Sequence, residues 1–312
     1  MSIRVGTCSW ADDSLSALWY PDWANSAEGR LRYYAERFDT VELNASFYAL
    51  PTAETAAAWA RRTPDGFIFH VKAFAMMTRH PVRAEQLPPD LRELFDYDER
   101  GRVSHPSREQ RAEVFDRFLH AVDPLREAGR LGGVLMQLPP YMVRKPESLE
   151  YLEWARGQLR DHRMLVEFRH RSWLEPEVAA KTLSFLESID ATYVMVDAPR
   201  TDARNVAPTV IAQTGDEAYL RLHGRNAATW NRRGGSASER FDYLYSDGEL
   251  EEWVGPLREL AGQAEQAYAF FNNNATSPDG RGGRMAQAAA NAKELQRLLQ
   301  AANVPVSAGA TD

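Results

Sequence analysis

Four short segments of this 312-residue sequence carry polar side chains in pairs two positions apart: Glu42 and Asn44, His70 and Lys72, Glu167 and Arg169, Arg221 and His223. Gln137 and Asp197 end two further apolar runs, and Asn272-Asn273 ends another. The residue types suit acid–base work. Cations or other carboxylates close to Glu42, Glu167 and Asp197 would drive their pKa values apart and so separate a general acid from a general base. His223, followed by Gly224, is the histidine best suited to proton transfer or metal ligation. Lys72, Arg169 and Arg221 form a clamp for a carboxylate or phosphate, arginine being suited to bidentate anion contacts. Asn44, Gln137, Asn272 and Asn273 add substrate-binding amides. Tyr48 and Trp230 could stack on a base, a sugar or another flat group.

A spacing of two is the period of a strand, and alternation puts each pair on one face. Eight segments read as strands: Ile3–Ser9, Thr40–Ser46, Phe67–Ala73, Gly133–Leu138, Met164–His170, Thr192–Ala198, Ala218–Gly224 and Ala267–Asn273. Helical periodicity covers Gly29–Phe38, Ala53–Arg61, Arg108–Ala128, Ser148–Leu159, Glu175–Ser188, Gly248–Gln263 and Met285–Ala302. Start signals support several of these: Thr52 with Glu54 and Thr55, Ser107 with Glu109, and Asp247 before Gly248-Glu249. Strands alternating with helices eight times predict a single-domain α/β fold, a (β/α)8 TIM-type barrel over residues 1–303. A flexible tail, 304–312, follows. Long loops come after the third strand (Phe74–Leu131) and the seventh (Arg225–Tyr245), as lids or binding loops. A doubly wound dinucleotide fold would need a glycine-rich first turn, whereas the sequence reads Gly6-Thr7-Cys8-Ser9-Trp10. No nucleotide-cofactor motif is present.

In a barrel the polar pairs point inward, where Val, Ile and Leu are the rule and an unpaired charge is costly. A salt-bridge network of Glu42, Glu167 and Asp197 with Lys72, Arg169 and Arg221 is the purely structural reading. Such networks often lose to apolar packing of the same volume. Barrel active sites also lie at the C-terminal strand ends, where these residues fall. His70, deeper in its strand, reads as a satisfied core histidine, while His80 opens the long third loop. Trp19, Tyr20, Trp23 and Trp173 follow strand ends and mostly cap the apolar core, while Trp10, also past a strand end, could either cap it or stack on a flat ligand. Arg225, Arg232-Arg233, Arg281 and Arg284 lie in the last two loops, a common phosphate position. A divalent metal among Glu42, Glu167, Asp197, His80 and His223 is conceivable. It is not favoured, because no HExxH, paired-cysteine or Asp-rich loop spacing occurs and the interleaved cations would repel it.

The formal net charge of −7 disfavours indiscriminate nucleic-acid binding without touching a local anion pocket. The single cysteine, Cys8, requires no oxidising compartment. No apolar stretch reaches membrane-spanning length and no signal-peptide core opens the chain, so a cytoplasmic protein without membrane contact is expected.

Several motifs together resemble the YecE-like family, a domain of unknown function. They are Gly6-Thr7-Cys8-Ser9-Trp10, Thr40 to Tyr48, Pro64-Asp65-Gly66-Phe67, Gln137-Leu138-Pro139-Pro140, Val166 to Trp173, Arg221-Leu222-His223-Gly224, Phe271-Asn272-Asn273 and Asn291-Ala292. The resemblance runs in order from about residue 3 to 300 and implies a TIM-type barrel. The reaction of that family is not settled, and its likeness to endonuclease-four-type barrels implies at most a nucleic-acid role. The residues themselves favour a hydrolase- or lyase-type enzyme acting on an anionic small molecule. The alternatives are a nucleic-acid binder or metal-dependent phosphodiesterase, and a glycosidase using two of the carboxylates. Oligomeric state has no signature here.

Overall fold

The computed structural model describes residues 2–230, 237–307 and 309. Each apolar segment forms a parallel strand: β1 Ile3–Thr7, β2 Thr40–Leu43, β3 Ile68–Lys72, β4 Leu131–Gln137, β5 Met164–Glu167, β6 Ala191–Asp197, β7 Glu217–Leu222 and β8 Gln266–Phe271. They join in the order β1-β8-β7-β6-β5-β4-β3-β2. This is the expected single-domain α/β barrel, nearly closed. The strands face two cores. Leu135, Leu165, Val194, Val196, Tyr219 and Phe270 fill the barrel interior. Val41, Val71, Met136, Val166, Met195, Leu222 and Phe271 pack outward against the helices.

Among the described residues no hydrogen-bonded ladder joins β1 to β2. Side chains stitch that seam instead. Arg4 at the bottom donates to Asp39 Oδ2 at 2.7 Å and to Gly66 O at 2.9 Å. In the middle Tyr34 Oη accepts from Thr7 N at 2.9 Å and donates to Thr40 O at 3.1 Å, a hydroxyl standing where a ladder bond would be. At the top Asn44 Nδ2 donates to Cys8 O at 3.1 Å. The strands come this close because position 6 is glycine; a Cβ there would sit 2.5 Å from Thr40 O.

The main helices are Ala27–Ala35, Ala53–Arg62, Arg108–Glu127, Pro146–Leu159, Pro176–Ser188, Asp247–Gln263 and Gln287–Ala301. Ser107 with Gln110 and Ser246 with Glu249 form reciprocal capping boxes. The cap of the sixth of these helices is therefore Ser246, one residue before the Asp247 start signal. The last helix begins at Gln287, because Met285 lies in a hairpin of β9 Thr276–Pro278 and β10 Arg284–Ala286. Residues 304–307 are not frayed: Ile3 N donates to Pro305 O at 2.8 Å, Ser307 N donates to Ile3 O at 3.0 Å, and Val304 is buried. Polar composition suggested a loose tail, but β1 offers its free edge to it. Residues 308 and 310–312 lie outside the described residues. No helix among the described residues is long and apolar enough to cross a membrane.

Candidate active site

The C-terminal ends of β2, β5 and β7 converge on one fully buried guanidinium. Arg221 Nη2 meets Glu42 Oε1 at 2.5 Å, and Arg221 Nη1 is ion-paired to Glu167. All three side chains are sealed from solvent. Tyr219 Oη donates to Glu42 Oε2 at 2.9 Å, and Arg169 Nη1 donates to Glu167 Oε1 at 2.9 Å. Burial alone would push Glu167 up, but Arg221, His223 and Arg169 outweigh it and hold the carboxyl well below the usual range. Burial likewise weakens the charged form of Arg221, and Glu167 and Glu42 more than restore it, so the guanidinium stays charged.

His223 stands over this layer. Burial pushes its imidazole down to about 3 against the pull of Glu167, so the ring is neutral near neutral pH. One chain of hydrogen bonds then assigns its tautomer. Asn44 Nδ2 donates both to Cys8 O and, at 3.2 Å, to Asn272 Oδ1. Asn272 Nδ2 is left to donate to His223 Nδ1 at 2.9 Å, so the ring proton is on Nε2, 3.3 Å from Glu167. Phe241 stacks on the imidazole with ring centroids 5.3 Å apart.

Above lies a cleft of about 550 Å³. Lys72 and Arg169 reach its floor, 8% and 11% exposed. Lys72 Nζ donates to Gln137 Oε1 at 3.1 Å and rests 4.4 Å from the Phe47 ring centroid. Burial and the neighbouring Arg221 bring its pKa down to about 8. The Arg169 guanidinium lies 4.8 Å over the buried Trp230 ring. Tyr48, 57% exposed, stands at the rim. Asp12 and Arg240 are also on the lining, Asp12 spending Oδ1 on the backbone N–H groups of Ser14 and Leu15. His80 lines the cleft from the third loop. Thr78 Oγ1 donates to Ala75 O and so accepts His80 Nδ1–H at 2.8 Å, which leaves Nε2 as the lone-pair nitrogen. Burial, Lys72 and Arg169 bring His80 down to about 3.

Eleven of the thirteen predicted site residues therefore gather here: Glu42, Asn44, Tyr48, Lys72, Gln137, Glu167, Arg169, Arg221, His223, Trp230 and Asn272. Two do not. Asp197 shares its parity with Tyr193 and Met195 and faces the helices, where it accepts from Trp253 Nε1 at 2.6 Å and takes a two-toothed grip from Arg225. Strand β6 is apolar on both faces, so alternation gives it no phase. Asn273 likewise faces outward with Phe271; its Nδ2 donates to Tyr243 O and Asn291 Oδ1, each at 2.9 Å. Arg225 is consumed by Asp197 and Glu252, and Arg232 and Arg233 lie outside the described residues. Trp10 packs on Trp59 and Phe69, and Trp173 stacks on Phe168, as core caps. His70 is in the core too, though neither ring nitrogen has a protein hydrogen-bond partner; Tyr219, Tyr268 and Phe270 surround it. Among the described residues no three His, Cys, Asp or Glu side chains converge on a point fit for a metal ion.

This geometry can be set beside known proteins. The family model described as "Protein of unknown function DUF72" matches residues 4–311. The chain belongs to the DUF72 family. It is 34% identical over 302 residues to the UPF0759 protein YunF of Bacillus subtilis, covering 95% of this chain and 94% of that one. A DUF72 crystal structure from Thermotoga maritima is 29% identical with a TM-score of 0.73, over 96% of this chain and 100% of that one. Another, from Enterococcus faecalis, is 25% identical with a TM-score of 0.73, over 96% and 95%.

For this DUF72 chain, sequence reasoning passed over Phe47, Asn205, Phe241 and Asn274 on the cleft wall, and left His80 outside the site. Four of them sit in loops and Phe47 ends a single 3-10 turn, Ala45–Phe47, where no periodicity fixes direction. For His80 a local signal existed: Thr78, two residues earlier, can hold the ring.

Proposed function

We propose that this protein is an enzyme that binds a small carboxylate- or phosphate-bearing molecule in the cleft and acts on it by acid–base chemistry of the hydrolase or lyase type. One observation carries the reading. With Asp197 turned away, three clustered cations, Lys72, Arg169 and Arg221, are ion-paired or close to only two carboxylates, Glu42 and Glu167, and the two cations nearest the cleft are largely enclosed, Lys72 buried and Arg169 mostly so. Buried positive charge in excess of its counter-ions favours an anionic guest. Lys72, poised near neutrality, and His80, neutral with a free Nε2, are the acid–base groups in reach of such a guest. Glu42, Glu167 and His223 act beneath the floor as positioning groups. Both carboxylates grip the same guanidinium, which leaves a glycosidase without an open pair to flank a sugar. The ordered motif series also supports the finer reading of the chain as YecE-like.

The test is calorimetric titration of the protein with oxalate and with inorganic phosphate. Lys72→Met and Arg169→Met should each weaken whichever anion binds by tenfold or more. Absence of binding by both anions, or variants that bind as well as wild type, would overturn the reading.

Tyr48, exposed at the rim of a cation-lined cleft, supports a second guest, single-stranded nucleic acid stacked on the ring. That reading requires affinity that falls steeply between roughly 50 and 200 mM salt. A flat response rejects it.

A further inference from the structure

We propose that Lys72 is a covalent nucleophile, its ε-amino group condensing with the carbonyl of a 2-oxo carboxylate whose carboxylate group is held by Arg169. The inference rests on the anion reading of the cleft and narrows it to one substrate class.

The position is built for it. Lys72 is the last residue of β3, in register with Leu135, and its own carbonyl accepts from Ser46 Oγ at 2.6 Å, so the root of the side chain is fixed. Arg169 and Arg221 are both ion-paired to Glu167, but Lys72 Nζ has no carboxylate within 4 Å among the described residues. Its protein partners are one amide oxygen and one ring face. That inventory matches an iminium better than an ammonium. A protonated iminium has a single N–H, for which Gln137 Oε1 is the acceptor, whereas an ammonium carries three. The Phe47 face serves the positive charge of either form. The lowered pKa leaves roughly a tenth of the amine as free base at pH 7. Cys8 is the weaker nucleophile of the two, because burial and Glu42 keep its thiol protonated.

The step balances without any further reactant. The ammonium first loses one proton to solvent, and the free electron pair of Nζ attacks the carbonyl carbon. The carbon–oxygen π pair moves to oxygen, which takes up a proton. Nitrogen then expels that oxygen as water with a second proton taken from Nζ, leaving a protonated iminium. Counted from the ammonium, one amine and one carbonyl give one iminium and one water, with no net change in charge or oxidation state. Arg169 has its Nη1 on Glu167, and the rest of its guanidinium faces the cleft for the substrate carboxylate. The aromatic wall of Trp230, Phe241 and Phe47 suits an apolar group on the far side of the carbonyl.

The experiment is reductive trapping. Wild-type protein is incubated separately with pyruvate and with phenylpyruvate in the presence of sodium cyanoborohydride, then digested and mapped by mass spectrometry. Reduced adduct should accumulate on Lys72 at least tenfold over the exposed Lys145, and Lys72→Arg should abolish it. Lactate and phenyllactate, which keep the carboxylate but lack the carbonyl, should bind in calorimetry and protect Lys72 from labelling. Hydroxy-acid binding together with no adduct, or with label spread evenly over the lysines, overturns the nucleophile and leaves the anion reading standing. No binding by the hydroxy acids and no adduct overturns both.

Discussion

Lys72 and Arg221 share one oxygen: Gln137 Oε1 accepts from Lys72 Nζ and from Arg221 Nη1, each at 3.1 Å. A neutral amide thus stands between two cations where a carboxylate would have balanced them. Gln137→Glu changes the charge with almost no change in shape. It should raise Lys72 from about 8 toward the ordinary lysine range and weaken oxalate or phosphate binding by roughly tenfold. Calorimetry across a pH series reads both. Unaltered affinity in the variant would show that the charge excess does not drive binding.

Arg221 is the keystone of the buried layer. Arg221→Met leaves Glu42 and Glu167 without their shared counter-ion in a sealed interior, at a cost of about 3–5 kcal/mol. Urea unfolding measures it. The triple variant with Glu42→Gln and Glu167→Gln should recover part of the loss, since the orphaned charges are then gone. A single variant within about 1 kcal/mol of wild type contradicts the assignment.

Tyr34→Phe removes one oxygen atom and with it the hydroxyl bridge in the middle of the seam between β1 and β2, leaving the Arg4 and Asn44 bridges at either end. The buried Thr7 N–H and Thr40 C=O lose their partner, a loss of about 1–3 kcal/mol. Hydrogen exchange should show faster amides in β1 than in β5, which is paired on both sides. Uniform acceleration over the barrel would mean the hydroxyl is not a local staple.

Asp197→Asn separates structure from chemistry. Its ion pair with Arg225 and its bond from Trp253 dock the helix Asp247–Gln263, so stability should fall by about 1–3 kcal/mol. Anion affinity should stay within twofold of wild type, because the carboxylate faces away from the cleft. A large loss of affinity at unchanged stability would return Asp197 to the site.

Acid should weaken the fold through His80. Its folded pKa of about 3 lies below the ordinary histidine value, so between about 3 and 6.5 the unfolded chain binds a proton that the folded one does not. Stability therefore falls as pH drops through that window. His80→Gln should flatten the slope by at most about 1.4 kcal/mol per pH unit. Parallel stability–pH curves for the two proteins would refute the shift.

Most of the barrel was legible because alternation and helical period are strong where one face is apolar and the other is not. Glu42 with Asn44, and Arg221 with His223, could be oriented from Val41 and Leu222, which point the other way. Asp197 could not: Val194, Met195 and Val196 are apolar on both faces, so the strand was recognised and its phase was lost. At Asn272-Asn273 the period left the choice open, and only Phe271, packed among helices, decides it. His80, Phe241 and Asn205 depend on loop paths, and those follow from tertiary contacts such as Thr78 to His80 rather than from any repeat. The resemblance motif Asn291-Ala292 proved structural: Asn291 fixes Tyr245 and Asn273, and so holds the loop that roofs His223.

The seam has a consequence for the order in which the chain can complete itself. Strand β1 has no ladder to form with β2; its hydrogen-bonded partners are β8, made some 260 residues later, and the segment at 305–307, made some 300 residues later. A ribosome adding about 5–20 residues each second keeps β1 waiting for many seconds beside a neighbour it can touch only through side chains. The strand that carries the protein's one cysteine at its end is thus the earliest made and the last to be paired.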